Sequence, residues 1–174
     1  MQKKAFTLIE LLLVVVIIGI IYGLVINSMQ RINDKEANLD FKTLPTFLES
    51  FYQQNSVAFT CIDNCKKCAL YVDGEKLKDI EPFMKEERQL RFWFFDANVG
   101  TQEFRFTPIF DEDDREFDVC FNYEIFKDGS HTEMIVETEK WSYDYRGPFH
   151  KVDSFSSLQE LEESRQDELQ EVLQ

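Results

Sequence analysis

Histidine and basic side chains are scarce in this 174-residue chain. Its two histidines, His131 and His150, have no cysteine or second histidine nearby and read as surface residues, so no histidine-based metal or catalytic cluster is visible. Lys and Arg number 19 against 33 Asp and Glu, a formal net charge of −14. So acidic a chain repels phosphates, which argues against nucleic-acid binding along a basic groove. No Gly-rich phosphate loop, Walker element or Ser/His/Asp order appears. The sequence therefore offers no catalytic site, neither a metal nor a cofactor is expected, and an anchored hydrolase has no support. Internal repeats and low-complexity tracts are absent as well. The length suits one helix and one modest domain of about 120 residues. Phenylalanine, by contrast, is plentiful at 17 residues, which suits an aromatic-rich core.

The most specific segment is the beginning. Lys3-Lys4 precede Ala5-Phe6-Thr7-Leu8-Ile9-Glu10-Leu11, which run into an uncharged stretch to Ile26. From Phe6 to Ile26 the run is 21 residues, close to the ~20 needed to cross a bilayer as a helix. The two lysines hold the N-terminus in the cytoplasm by the positive-inside rule. A carboxylate at the head of such a helix costs about 2–4 kcal/mol on insertion scales, so Glu10 calls for a partner. A secretory signal peptide wants its small-residue site after the apolar run, and Asn27-Ser28-Met29 matches poorly. A plain signal anchor explains the length and gives no reason for Glu10.

The block Phe6-Thr7-Leu8-Ile9-Glu10-Leu11, with Gly19 inside the apolar run, resembles the class III prepilin signature of type IV pilins and type II secretion pseudopilins. Ala5 stands where that family usually has Gly. The resemblance covers roughly the first 30 residues. It implies cleavage by prepilin peptidase between Ala5 and Phe6, N-methylation of Phe6, and a net charge of −16 once Lys3 and Lys4 leave with the leader. It also implies assembly with other pilin or pseudopilin subunits on an inner-membrane platform. In such a fibre the apolar helices bundle, and Glu10 pairs with the Phe6 amine of a neighbour. A buried pair of this kind sets register more than stability. The plainer alternative is that Glu10 snorkels to the headgroups, since it lies only about 6 Å beyond Phe6 along a helix.

The expected fold is α+β, a long N-terminal helix packed on an antiparallel sheet, with a C-terminal helix or tail. The expected division is a leader at 1–5, a transmembrane and assembly helix at 6–28 and an amphipathic continuation at 29–56. A globular periplasmic domain at 57–152 and an acidic helix or tail at 153–174 follow. In the continuation, Ile32, Leu39, Leu44, Phe47, Leu48 and Phe51 recur at helical steps, and Pro45 bends the helix near Leu44 and opens a second piece over Thr46–Tyr52.

Strands are predicted from Ala69 onward. Ala69–Val72 and Glu75–Leu77 flank an Asp73-Gly74 turn. Arg91–Phe95, Glu103–Thr107, Glu116–Lys127 and Thr132–Trp141 follow, with one sheet face against the helix. In the third of these, Phe117, Val119, Phe121, Tyr123 and Ile125 share one face and Cys120 lies on the other. The aromatic clusters Phe92–Phe95 and Trp141–Tyr145 read as core. Ser157 and Glu160 form a capping box ahead of a helix whose narrow apolar face is Leu158, Leu161, Leu169 and Val172. That helix is either a solvated tail or a docking element for a neighbouring subunit.

Cys61, Cys65 and Cys68 cluster, and Cys120 stands alone. Four thiolates would complete a zinc or iron–sulfur site. An extracytoplasmic domain favours two disulfides instead, and four cysteines allow three connectivities. One long-range bridge from Cys120 and one local bridge within 61–68 is the favoured arrangement, with the pairs left open. Asp111-Glu112-Asp113-Asp114 and Glu116 offer oxygens for calcium but lack the EF-hand pattern, so a solvated turn is preferred.

Taken together, the expectation is a non-enzymatic minor pilin or pseudopilin of a type II secretion, type IV pilus or competence fibre, single-pass in the bacterial inner membrane. By the resemblance, the lack of Pro at Asn27 favours a minor subunit, and the presence of Glu10 argues against the tip position. The alternative is a single-span anchored periplasmic binding or redox protein that uses the cysteine cluster.

Overall fold

The computed structural model describes residues 9–20, 39–84, 89–110, 114–148 and 150–172. The processing site at Ala5–Phe6, residues 21–38 of the expected transmembrane (6–28) and amphipathic (29–56) segments, and acidic residues 111–113 lie outside the described residues. Two compact units emerge, 1–38 and 39–174. In the first, residues 9–20 form helix α1.

The second unit opens on a turn organised by Asp40. Its carboxylate accepts the amides of Lys42 at 2.9 Å and Thr43 at 2.7 Å. Helix α2, Leu44–Glu49, follows with Pro45 in its first turn, where no amide bond is lost. The second helical piece expected over Thr46–Tyr52 thus begins earlier and stops at Glu49. The Ser50 hydroxyl donates to the Phe47 carbonyl at 2.6 Å, and the amides of Phe51 and Tyr52 reach back only three residues, to Leu48 and Glu49. This tighter winding ends the α-helix.

Among the described residues eleven strands follow: β1 Val57–Ile62, β2 Lys67–Val72, β3 Glu75–Ile80, β4 Arg91–Asp96, β5 Gly100–Phe104, β6 Ile109–Phe110, β7 Glu116–Phe117, β8 Val119–Ile125, β9 Met134–Glu137, β10 Ser142–Tyr145 and β11 Asp153–Phe155. They form not one antiparallel sheet but two, ordered β3-β2-β1-β8 and β11-β10-β9-β4-β5, plus a β6-β7 ribbon. The β2–β3 turn is the expected Asp73-Gly74, both at positive φ (51° and 82°), the primed geometry that suits a tight hairpin. Strand β1 alternates cleanly, with Val57, Phe59 and Cys61 buried.

The two sheets close over one core. Phe59, Phe121 and Tyr123 come from the first sheet, Phe92, Val136 and Tyr145 from the second, and Leu44, Phe47 and Leu48 from α2. Ring contacts join the sheets directly: Phe92 lies 6.0 Å from Phe121, and Tyr123 lies 5.0 Å from Tyr145. The Tyr145 hydroxyl donates to the Phe41 carbonyl at 2.5 Å, so this buried phenol is satisfied.

The chain ends in helix α3, Leu158–Val172. Its start is a displaced capping box. Ser157 Oγ accepts the Glu160 amide at 3.2 Å, while the Glu160 carboxylate takes the Ser156 amide and hydroxyl, one residue earlier than the usual pattern. Leu161 is fully buried, and the second half of the helix, including Leu169, is exposed.

Candidate functional site

Helix α1 is apolar on every side and exposed along its described length. Ile9, Leu11, Leu12, Val14 and Ile17 present side chains around the full circumference, with Glu10 the one charged residue among those described. A helix that is apolar all round belongs in a bundle core or a bilayer. A side chain built on Gly19 would meet nothing within 4 Å. The 12 described residues span about 18 Å, and among the described residues no helix is long and apolar enough to cross a membrane.

The four cysteines form two disulfides, one local and one long-range. Cys61–Cys68 joins register partners on β1 and β2, and Cys65–Cys120 ties their connecting turn to β8 across a sequence separation of 55. In that turn Asp63, Asn64 and Cys65 all adopt positive φ (57°, 52° and 60°), a conformation costly for residues with a Cβ. Cys61, Cys65 and Cys68 are buried, and no free cysteine remains. Among the described residues no group of His, Cys, Asp and Glu is arranged to hold a metal.

His131 differs from the surface residue expected. It is half-buried, with Nδ1 3.0 Å from the Tyr123 hydroxyl. Burial lowers its imidazole pKa below the ordinary value, with the nearby Glu49 carboxylate pulling the other way. Burial likewise raises the Tyr123 phenol and the Glu124 carboxyl. His150 is exposed. Of the aromatic clusters, Phe92 and Tyr145 are core, whereas Phe94 and Trp141 are largely exposed.

One polar cluster has no counterpart in the sequence reading. Asp144 on β10 is fully buried and accepts from both Arg146 and Arg165. Arg146 also donates to Glu168 at 2.6 Å, and Glu162 accepts the Thr101 amide at 3.1 Å. These contacts seat α3 on the second sheet. The only advance signal was the presence of two arginines near an otherwise acidic C-terminus.

No curated protein and no solved structure matches the chain. Residues 1–26 match the family model of the prokaryotic N-terminal methylation motif. Through those residues, the stretch that contains α1, the chain carries the class III prepilin signature of the type IV pilin and pseudopilin family.

Proposed function

We propose that this protein is a minor pilin or pseudopilin, a non-catalytic subunit of a type II secretion, type IV pilus or competence fibre. The observation that carries the reading is the coincidence of the methylation motif with a helix that is apolar on every side and bears a single carboxylate. Prepilin peptidase removes residues 1–5 and methylates the new amine of Phe6. The helix, continuing beyond α1 through the rest of the transmembrane segment, anchors the chain in the inner membrane with its C-terminal domain in the periplasm. Glu10 then pairs with the Phe6 amine of an adjacent subunit, neutralising both charges at one axial offset. Two disulfides are consistent with an oxidising compartment. All four cysteines are paired and three of them are buried, which leaves no free thiol for a redox role and weighs against the anchored redox alternative.

Intact mass of the membrane-extracted protein, beside an Ala5→Glu variant, tests this. Loss of residues 1–5 and gain of one methyl group in the wild type alone is the expected result. An uncleaved wild type would reduce the chain to an anchored periplasmic domain.

A further inference from the structure

The outer face of the first sheet carries a slot of about 520 Å³. Ala58 is its floor. In the strand register Tyr71 stands opposite Ala58 on one side and Glu124 on the other. A ring and a carboxylate therefore flank one methyl group across two strand spacings, about 10 Å. Thr60 and Asn122 form the next row, hydrogen-bonded to each other at 2.6 Å, and Ile109 of the β6–β7 ribbon closes one side.

Glu124 is the one ionisable carboxylate in this lining. Its amide donates to Thr132 Oγ1, but its carboxylate, half-buried, has no hydrogen-bond or ion-pair partner among the described residues. The surrounding lysines do not supply one. Lys76, the register partner of Tyr71, is held by Asp79 at 2.7 Å, and Lys127, just past β8, is held by Asp73 at 3.0 Å. Among the described residues no cationic side chain lines the slot, so it holds no counter-charge for an anion. A partly desolvated carboxylate without a counter-charge is destabilised until a cation arrives. An aromatic face on the opposite wall attracts the same charge, and the net charge of −14 steers cations toward the protein.

We propose that this slot receives the cationic end of a lysine or arginine side chain from a protein partner, seated between the Tyr71 ring and the Glu124 carboxylate. The inference does not depend on how the N-terminal helix assembles.

The test is alanine-methyl NMR of the full-length chain in neutral detergent micelles, where the sequence has only five alanines to resolve. Ala58 reports on the slot and Ala97 serves as a distant control. The probes are Nα-acetyl-lysine methylamide, its arginine counterpart, the neutral norleucine analogue and maltose. Saturable movement of Ala58 with both cationic probes, at a Kd of about 1–10 mM, is expected for a single cation contact. Glu124→Gln should weaken it about tenfold, the scale of one lost charge contact near 1.4 kcal/mol. Glu139→Gln, at an exposed carboxylate elsewhere, should leave it unchanged. Absence of a saturable Ala58 shift, an equal response to norleucine, or undiminished binding by Glu124→Gln overturns the proposal. A response to maltose without one to the cations overturns it in favour of a sugar cleft.

Discussion

Arg165 grips Asp144 through both carboxylate oxygens, Nη2 to Oδ1 at 2.6 Å and Nε to Oδ2 at 2.8 Å. The pair joins α3 to β10, and the carboxylate it holds is fully buried. A planar guanidinium can make this fork and an ammonium cannot. Breaking a buried pair from one side leaves an uncompensated charge, which typically costs about 3–5 kcal/mol. Arg146 remains to share that charge, so Arg165→Met should fall toward the lower end, with Arg165→Lys recovering only part of it. Urea melts measure the loss, and amide exchange along α3 should accelerate in both variants. Protection as in wild type would show that the Arg165–Asp144 pair does not seat the helix.

The two disulfides should differ in worth. Loop-closure entropy gives about 2 kcal/mol for a bridge spanning 7 residues and about 4 kcal/mol for one spanning 55. Cys65 sits at φ 60°, a strain that opening its bridge allows to relax, which offsets about 1 kcal/mol of that difference. The Cys65→Ser/Cys120→Ser pair should therefore lose more stability than Cys61→Ser/Cys68→Ser, but by only about 1 kcal/mol. Denaturant midpoints of the two double variants decide; the reverse order would mean the cross-strand link holds the β1–β2 hairpin together.

Stability should also depend on pH through His131. Its folded pKa lies below the ordinary 6.5, because burial disfavours the imidazolium. Between those two values the unfolded chain binds the proton and the folded chain does not, so stability is full above pH 6.5 and falls as pH drops through the window. Glu124 works in the opposite sense. Its raised pKa favours the fold below the ordinary 4.5, and that contribution is lost as pH rises through the folded value. Thermal melts from pH 5 to 8 should show a shallower pH slope in His131→Gln than in wild type. Equal slopes would assign the dependence to other groups.

If the carboxylate serves a neighbouring subunit as proposed, Glu10→Gln should be processed like wild type at the proposed Ala5–Phe6 junction but fail to enter the fibre. Mass of the extracted chain and its share in sheared fibres separate the two steps. Normal incorporation of the amide variant would return Glu10 to a headgroup role.

Local chemistry made several elements legible. Asp73-Gly74 announced its turn, the alternation of Phe121, Tyr123 and Ile125 announced β8, and Ser157 with Glu160 announced the start of α3. Pairing between distant strands was not legible, because register and sheet membership are set by contacts far apart in sequence. Strand β1 illustrates the loss. Val57, Phe59 and Cys61 alternate as buried positions, yet the helical pattern ahead of them and the cysteine cluster behind drew the reading away. Asp144 was hidden for another reason. In the run Ser142-Tyr143-Asp144-Tyr145 it looks like a solvent-facing position, and of the two arginines that make its burial tolerable, the one that grips both its oxygens lies 21 residues downstream. His131 was misplaced because its burial comes from packing beside Tyr123, not from its neighbours in sequence.

The Cys65–Cys120 bridge also sets how far this domain could be drawn out under tension. A load applied at residue 39 and at the C-terminus would cross directly from one sulfur to the other, bypassing everything between. Fully stretched, the bypassed 55-residue interval would add about 190 Å at some 3.4 Å per residue. That length stays locked away while the bridge is intact, and with it β2 to β7 and part of the core. Helix α2 and strand β1 ahead of Cys65, and most of β8 with β9 to β11 and α3 after Cys120, are the elements left free to peel.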